Sequence, residues 1–215
     1  KKFALVQEGH PGSILSIFDI VNMMYLGGFV KVNSNTSDND FFIMSKGHAG
    51  SVQYPYLVRA GLIPQKDWDE WPSKSSCLKI FPNRAIPGID VTGGSLGHGL
   101  GIAAGMALSV ASDPNDARNI FVIISEGELY EGSIWEALLF ISHHKLNRIK
   151  IILDCNNNII LGNPNDCLSL GDLEAKFKSF GFNPTIINGH DPSEINEGLK
   201  LLTDEKKDQL DILIA

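Results

Sequence analysis

Asn119-Ile120-Phe121-Val122-Ile123-Ile124-Ser125 is a near-continuous apolar run that ends in a glycine-punctuated acidic stretch, Glu126-Gly127-Glu128-Leu129-Tyr130-Glu131-Gly132. A strand with one wet face alternates polar and apolar residues. A run without alternation is expected of a parallel strand covered on both faces. Residues 149–153 form a second such run and lead into Asp154-Cys155-Asn156-Asn157-Asn158. Between the two, Ile134, Ala137, Leu138 and Ile141 recur at helical spacing, and Ser133-Ile134-Trp135-Glu136 has the form of a capping box that would open that helix.

The same alternation continues outward in both directions. Upstream, Ile14, Ile17, Phe18, Ile20, Val21 and Met24 predict a helix stopped by Gly27-Gly28, and residues 40–44 a short strand. A helix is expected over 49–59 with Gly61 as its stop. Residues 64–90 hold four prolines and read as loop with one short helix near 65–71. Residues 93–105 are rich in glycine and run into Ala103, Ala104 and Ala107, which suggests a helix packed closely on another backbone. Downstream, a helix is expected over 173–180, a strand over 183–187, a helix capped by Asp191 with Pro192 in its first turn, and a last strand over 210–215. Strand and helix in turn imply an α/β fold: a parallel sheet with helices on both faces. No repeat, low-complexity tract or linker divides the chain, so residues 1–215 read as one domain.

Bulk properties narrow the function classes. The net charge is −7, and no Lys/Arg cluster forms the basic face that nucleic acid demands. The mixed run Asp204-Glu205-Lys206-Lys207-Asp208 reads as a solvated turn. Cys77, Cys155 and Cys167 are odd in number and far apart, which favours a reducing compartment over a disulfide framework. No apolar run approaches the ~20 residues of a membrane span. Lys1-Lys2-Phe3-Ala4 has no signal-peptide core behind it, so the expected location is the cytoplasm. The chain stops inside an apolar run, and further residues are expected beyond Ala215.

Ligands of open parallel sheets bind outside the carboxyl ends of the strands. The two strongest strands release there Glu126 and Asn156, both oxygen donors, with Gly127 permitting close backbone approach. A hard divalent cation takes carboxylate, amide and carbonyl oxygens and shares phosphate oxygens with a ligand. Glu126, Asn156 and one main-chain carbonyl would leave room for a diphosphate, and the helix opening near Glu131 would aim free N–H groups into the same space. Acidic and Asn residues are also ordinary turn formers, so this pair alone names no cofactor. Reading Gly97-His98-Gly99-Leu100-Gly101 as a dinucleotide loop fails, because no buried strand leads into it.

Ser125-Glu126-Gly127, then Glu131-Gly132, then Asn156 thirty residues after Glu126, resembles the thiamine-diphosphate motif, usually written Gly-Asp-Gly with an Asn at this spacing. The surroundings are similar to the transketolase family. Gly9-His10-Pro11-Gly12 and Ser45-Lys46-Gly47-His48 resemble its first two active-site segments, and Gly94-Ser95-Leu96-Gly97-His98-Gly99 its cofactor-contacting glycine segment. Residues 127–137, Asp154-Cys155-Asn156 and Gly189-His190-Asp191 continue the pattern in order over nearly the whole chain.

The resemblance implies the thiamine-diphosphate-binding fold and a transferase that moves a two-carbon ketol unit from a ketose phosphate to an aldose. Glu126, Asn156 and the carbonyl of Asn158 would hold Mg²⁺. The backbone of Gly127 would meet the diphosphate, with His48 near the phosphates or the substrate. Gly94 and Leu96 would contact the cofactor rings. Glu131 would join a proton path linking two cofactor sites across a dimer, and His10 would hydrogen-bond sugar hydroxyls. In this family a separate pyrimidine-binding domain supplies the Glu that protonates the aminopyrimidine, and no such domain is found here. The resemblance therefore implies either a partner, a C-terminal transketolase subunit in a dimer or heterotetramer, or a longer chain of which these residues are one part. The missing half would cover the face of residues 93–105.

Two departures stand out. The family's Asp is Glu126, one methylene longer, which admits a larger ion such as Ca²⁺. Phe81 precedes Pro82 where the family often has a substrate-binding His, which points to a modified sugar. A deoxyxylulose-phosphate-synthase-like enzyme and a non-catalytic cofactor-binding subunit remain as alternatives. His190 reads as a turn residue, His98 as a neighbour of the site, and His143 and His144 as last-turn residues suited to the helix dipole. Trp68, Trp71 and Trp135 read as core or interface.

Overall fold

The computed structural model describes residues 10–34, 36–73, 75–204, 206 and 209–215. Gly9 of the first segment, the Lys1–Lys2 start and most of the 204–208 charge run lie outside the described residues. Five parallel strands form one sheet in the order β1-β2-β3-β5-β4: β1 Phe41–Met44, β2 Ile120–Ser125, β3 Ile149–Asp154, β4 Asn183–Ile186 and β5 Asp211–Ile214. Every residue of β2 and β3 is buried, as their lack of alternation predicts, Lys150 and Asp154 of β3 included. Ser125 and Asp154, their last residues, are register partners.

Helices cover both faces. Helices α4 (Gly99–Ala111) and α5 (Gly132–His144) pack with α7 (Leu173–Ser179) on the face that shows Val122, Ile124, Ile151 and Leu153. Helices α1 (Pro11–Leu26) and α8 (Pro192–Leu202) pack on the face that shows Phe121, Ile123, Ile152 and Leu213. Alternate residues of one strand thus feed two cores. Truncating Ile123 or Ile124 to Ala would cost about 2–5 kcal/mol on either side. A third cluster, with Tyr54, Leu57, Ile63, Trp71 and Ile86, joins α2 (Tyr54–Arg59) and α3 (Gln65–Glu70) to the proline-rich segment. Among the described residues, no helix is long and apolar enough to cross a membrane.

Three local expectations need correction. The helix expected over 49–59 is a 3₁₀ helix, Gly47–Gln53, followed by α2. Pro55 explains the break: it has no N–H to donate, and its ring would collide with the carbonyl of Ser51 in a continuous α-helix. The capping box at Ser133 is absent. Helix α5 starts two residues earlier than that cap implies, at Gly132, and the Ser133 hydroxyl instead donates to the Gly97 carbonyl (2.9 Å). The close-packing glycine of α4 is Gly99 alone, where an added Cβ would lie 2.5 Å from Ser45 Cβ, while Gly101 and Gly105 face open space. A short helix, α6 (Pro164–Cys167), adds to the elements that periodicity predicts.

The other signals hold. Asp191 accepts from the amides of Ser193 and Glu194 at the start of α8, Gly61 has φ +77°, and His143 and His144 occupy the last turn of α5. The edge strand β1 has one neighbour, and the Asp90 carboxylate accepts the outward N–H of Phe42 (2.8 Å). Burial pushes the Asp90 pKa up to about 6, against the opposing pull of the Phe42 amide, Arg84 and Arg118.

Candidate functional site

The carboxyl ends of β1, β2 and β3 open onto one rim, and each releases a loop with polar side chains. After β2 the chain turns at once into a 3₁₀ helix, Glu126–Tyr130. This turn, and not the one at Ser133, carries a capping box: the Ser125 amide donates to Glu128 Oε2 (2.9 Å) and the Ser125 side chain faces the turn in return. Glu126 is buried, and its Oε2 accepts the Asn157 amide (3.0 Å) from the loop after β3. Burial raises the Glu126 pKa, and the nearby Asp154 charge adds to that, while the Asn157 amide and the neighbouring Cys155 side chain oppose it.

The loop after β3 is anchored by Asp154, which is 3% exposed. Its carboxylate accepts from Ser16 Oγ (2.7 Å), from the ammonium of Lys46 and from the Asn156 side-chain amide (3.3 Å). Lys46 is 1% exposed and also donates to the Ser13 carbonyl (3.2 Å). A buried pair of this kind is strongly destabilised when one partner is removed, because the other is left as an uncompensated charge. With its NH₂ held by Ser16 and Asp154, Asn156 has a fixed carboxamide, and its Oδ1 accepts from the Asn158 amide (3.0 Å).

His48 follows β1. Its ring packs edge-on against His10 with centroids 5.4 Å apart. Burial, with Lys46 and His10 beside it, pushes the His48 pKa down to about 4. At neutral pH it offers a ligand a hydrogen bond and no charge. Gly47 lets this loop touch the glycine segment: an added Cβ would lie 2.7 Å from the Gly94 amide nitrogen. Gly97, at φ +83°, lets the same segment reach Glu131, whose Cβ would stand 2.7 Å from an added Cβ. Glu131 is the exposed residue just before α5. Leu96 and Gly127 are half-buried and Gly94 is exposed, with Phe81 at its side.

His10, Ser13, Ser16, Asn156, Asn158 and His190 line an open cleft of about 590 Å³. The structure therefore groups His10 and His48, joins Glu126 to the Asn156–Asn158 loop, and sets the glycine segment between His48 and Glu131. His190 does sit in the turn before α8, yet it also reaches this cleft, with Nδ1 2.8 Å from an Asp19 oxygen. Sequence reasoning missed Lys46, Asp154 and Glu128. A charged residue at or just past the carboxyl end of a strand was the available signal for the first two, and the Ser125-x-x-Glu128 spacing for the third.

A parallel sheet that joins the Glu126 carboxylate to the Asn156–Asn158 loop at its carboxyl rim puts these groups where the ligands of open α/β sheets bind. The comparisons then identify the family: residues 2–213 match the profile described as transketolase, thiamine diphosphate binding domain, and the chain belongs to that family. One of the subunits of the apulose-4-phosphate transketolase of Actinobacillus succinogenes is 34% identical over 199 residues, which cover 89% of this chain and 70% of that one. A 6-deoxy-6-sulfo-D-fructose transketolase subunit of a Clostridium species is 35% identical, covering 87% and 69%. The solved transketolase of Leishmania mexicana superposes with a TM-score of 0.88 at 25% identity, over 99% of this chain and 34% of that one. The chain thus spans about a third of that enzyme, and 30% of a mammalian transketolase.

Proposed function

We propose that this chain is the diphosphate- and metal-binding half of a transketolase-type enzyme, which transfers a two-carbon ketol unit from a ketose phosphate to an aldose acceptor. The observation that carries the reading is the joint between the two loops: Glu126 accepts the Asn157 amide, so a carboxylate from β2 and the Asn156–Asn158 loop from β3 meet on the same rim. The donor set is all oxygen, which suits Mg²⁺. Glu126, the Asn156 amide oxygen and the Asn158 carbonyl would hold it. The longer Glu in place of Asp makes Ca²⁺ a competing ion.

Thiamine diphosphate, when bound, supplies the thiazolium that serves as electron sink for carbon–carbon cleavage. The chain's own contribution is to bind and orient. Gly127 brings main-chain N–H groups to the diphosphate, and the free amides at the start of α5 face the same negative charge. Neutral His48 donates to phosphate or substrate. Gly94 and Leu96 border the cofactor rings, and Glu131 carries a proton path toward a second site. His10, on the cleft, hydrogen-bonds sugar hydroxyls.

A pyrimidine-binding half has to come from elsewhere, from a partner subunit or from another stretch of a longer protein. The names of the two bacterial relatives, each a subunit of its enzyme, support the partner arrangement, in a dimer or heterotetramer. Phe81 is 42% exposed beside Gly94 and offers an apolar wall, which favours a modified sugar phosphate over an ordinary one.

Calorimetry on the assembled enzyme tests the cofactor: thiamine diphosphate with Mg²⁺ should release heat, and Asn156→Ala should abolish most of it. No heat at millimolar ligand would leave a non-catalytic role. A donor assay with ketose phosphates against pyruvate tests the reaction. Turnover of pyruvate alone would favour the deoxyxylulose-phosphate-synthase-like alternative.

A further inference from the structure

Glu128 lies behind the rim and makes none of the ligand contacts proposed for its neighbours. It is completely buried and accepts four hydrogen bonds. Oε1 takes the Ser45 hydroxyl and the Gly97 amide (2.9 Å), and Oε2 takes the Ser125 amide (2.9 Å) and hydroxyl (3.4 Å). None of the four donors carries a charge. Burial raises the Glu128 pKa, and the four donors all work against that rise.

The donors come from three separate segments, two loops and the end of β2. Ser45 lies three residues before His48, Gly97 one residue after Leu96, and Ser125 one residue before Glu126. Each segment is also held from its far side. Ser45 is packed against Gly99, where an added Cβ would come within 2.4 Å of its Oγ. The carbonyl of Gly97 accepts from Ser133. Ser125 closes the β2 ladder opposite Asp154. Four fixed donors converging on one carboxylate leave it a single low-energy orientation, and moving any of these segments breaks a bond in a water-poor setting, where an unpaired polar group is costly.

We propose that Glu128 is the positioning residue of the cofactor site: its carboxylate fastens together the segments that carry His48, Gly94 to Leu96, and Glu126 with Gly127. The inference rests on the cofactor reading above. It requires a carboxylate of this length. Glutamine fills the same volume but turns an NH₂ toward donors, so at least one segment must withdraw. Aspartate keeps the charge but falls a methylene short of spanning Ser45 and Ser125.

The test uses the assembled enzyme and thiamine diphosphate with Mg²⁺ as probe, and compares wild type with Glu128→Gln, Glu128→Asp and Ser45→Ala. Groups that orient metal ligands from behind typically change affinity by about 10–100-fold. Glu128→Gln should weaken cofactor binding on that scale while the donor-sugar KM at saturating cofactor stays within about twofold. Ser45→Ala should weaken it less, and the double variant should fall short of the product of the two single effects. Ile195→Val, in the core on the opposite face, serves as control for lost stability.

An unimpaired Glu128→Gln enzyme overturns the proposal, as does equal loss of cofactor affinity in a control of matched thermal midpoint. Ser45→Ala with wild-type affinity also counts against it, and needs no Glu128 variant to fold. If wild type itself fails to bind thiamine diphosphate, the underlying reading fails first and the inference with it.

Discussion

The segments after β2 and after β3 start from register partners, Ser125 and Asp154, yet the fold treats them in opposite ways. The first coils into a 3₁₀ turn with Glu126, Glu128 and Leu129 buried. The second runs from Cys155 into three exposed asparagines, passes through Asn157 at φ +54°, and lifts Ile160 and Leu161 into solvent at 100% and 77% exposure. Leu168, farther along, is also mostly exposed. The contrast separates two needs. Groups that must sit at fixed positions are held by hydrogen bonds within this chain. The apolar tip is surface of the kind that marks a contact with another protein element, and it is a second candidate contact for the proposed pyrimidine-binding half, besides the face of residues 93–105.

Three measurements break or sharpen the contrast. The largest effect is expected at the buried turn. Glu128→Ala strands the Ser45 hydroxyl and the amides of Gly97 and Ser125, and stability should fall by about 3–5 kcal/mol in urea unfolding. A loss under about 1 kcal/mol would mean that water replaces the carboxylate freely, and that the turn is no more fixed than the asparagine loop.

Asp90 sharpens the role of donor number, for it is a half-buried carboxylate with one main-chain donor where Glu128 has two and two hydroxyls besides. Its folded pKa, about 6, lies above the unfolded value of 3.8. The folded state then holds the proton more tightly, so this group's contribution is favourable at low pH and is lost as pH rises from about 4 to 6. Asp90→Asn can still accept from Phe42. It should abolish that loss, and at pH 7 stand roughly 1–2 kcal/mol above wild type. Parallel stability–pH curves for the two proteins would refute the assignment.

The smallest effect belongs to the exposed tip. Ile160→Ser with Leu161→Ser should change the stability of the unpartnered chain by less than about 0.5 kcal/mol. The same pair should weaken assembly with the completing half, read by sedimentation. Undiminished assembly would remove the tip from the interface.

Most of the fold was legible because the strongest signals are long and unbroken. The runs at 120–125 and 149–154 have no alternation to hide, and Asp191, Pro192 and Gly61 mark boundaries through backbone chemistry that tertiary contacts did not override. Loop details were less legible where two local patterns compete. Ser125-x-x-Glu128 and Ser133-x-x-Glu136 are the same capping signature eight residues apart. Only the first forms, because Ser133 finds the Gly97 carbonyl, a partner far away in sequence.

The candidate site shows the same division. Glu126, Asn156, His10 and His48 stand out by residue type and spacing. Lys46 with Asp154 is a pairing across 108 residues, which no local pattern encodes. His190 reads as a turn residue because its neighbour Asp191 is an obvious cap, and its reach into the cleft depends on α1, 171 residues away from it at Asp19.

Ser13 and Ser16, on the first two turns of α1, are tied to Lys46 and Asp154, and Asp154 in turn holds Asn156. That chain of contacts couples the start of the helix mechanically to the loop that carries Asn156. A load that twists or shifts α1 is delivered to the Asn156 carboxamide through joints made by a hydroxyl and an ammonium group.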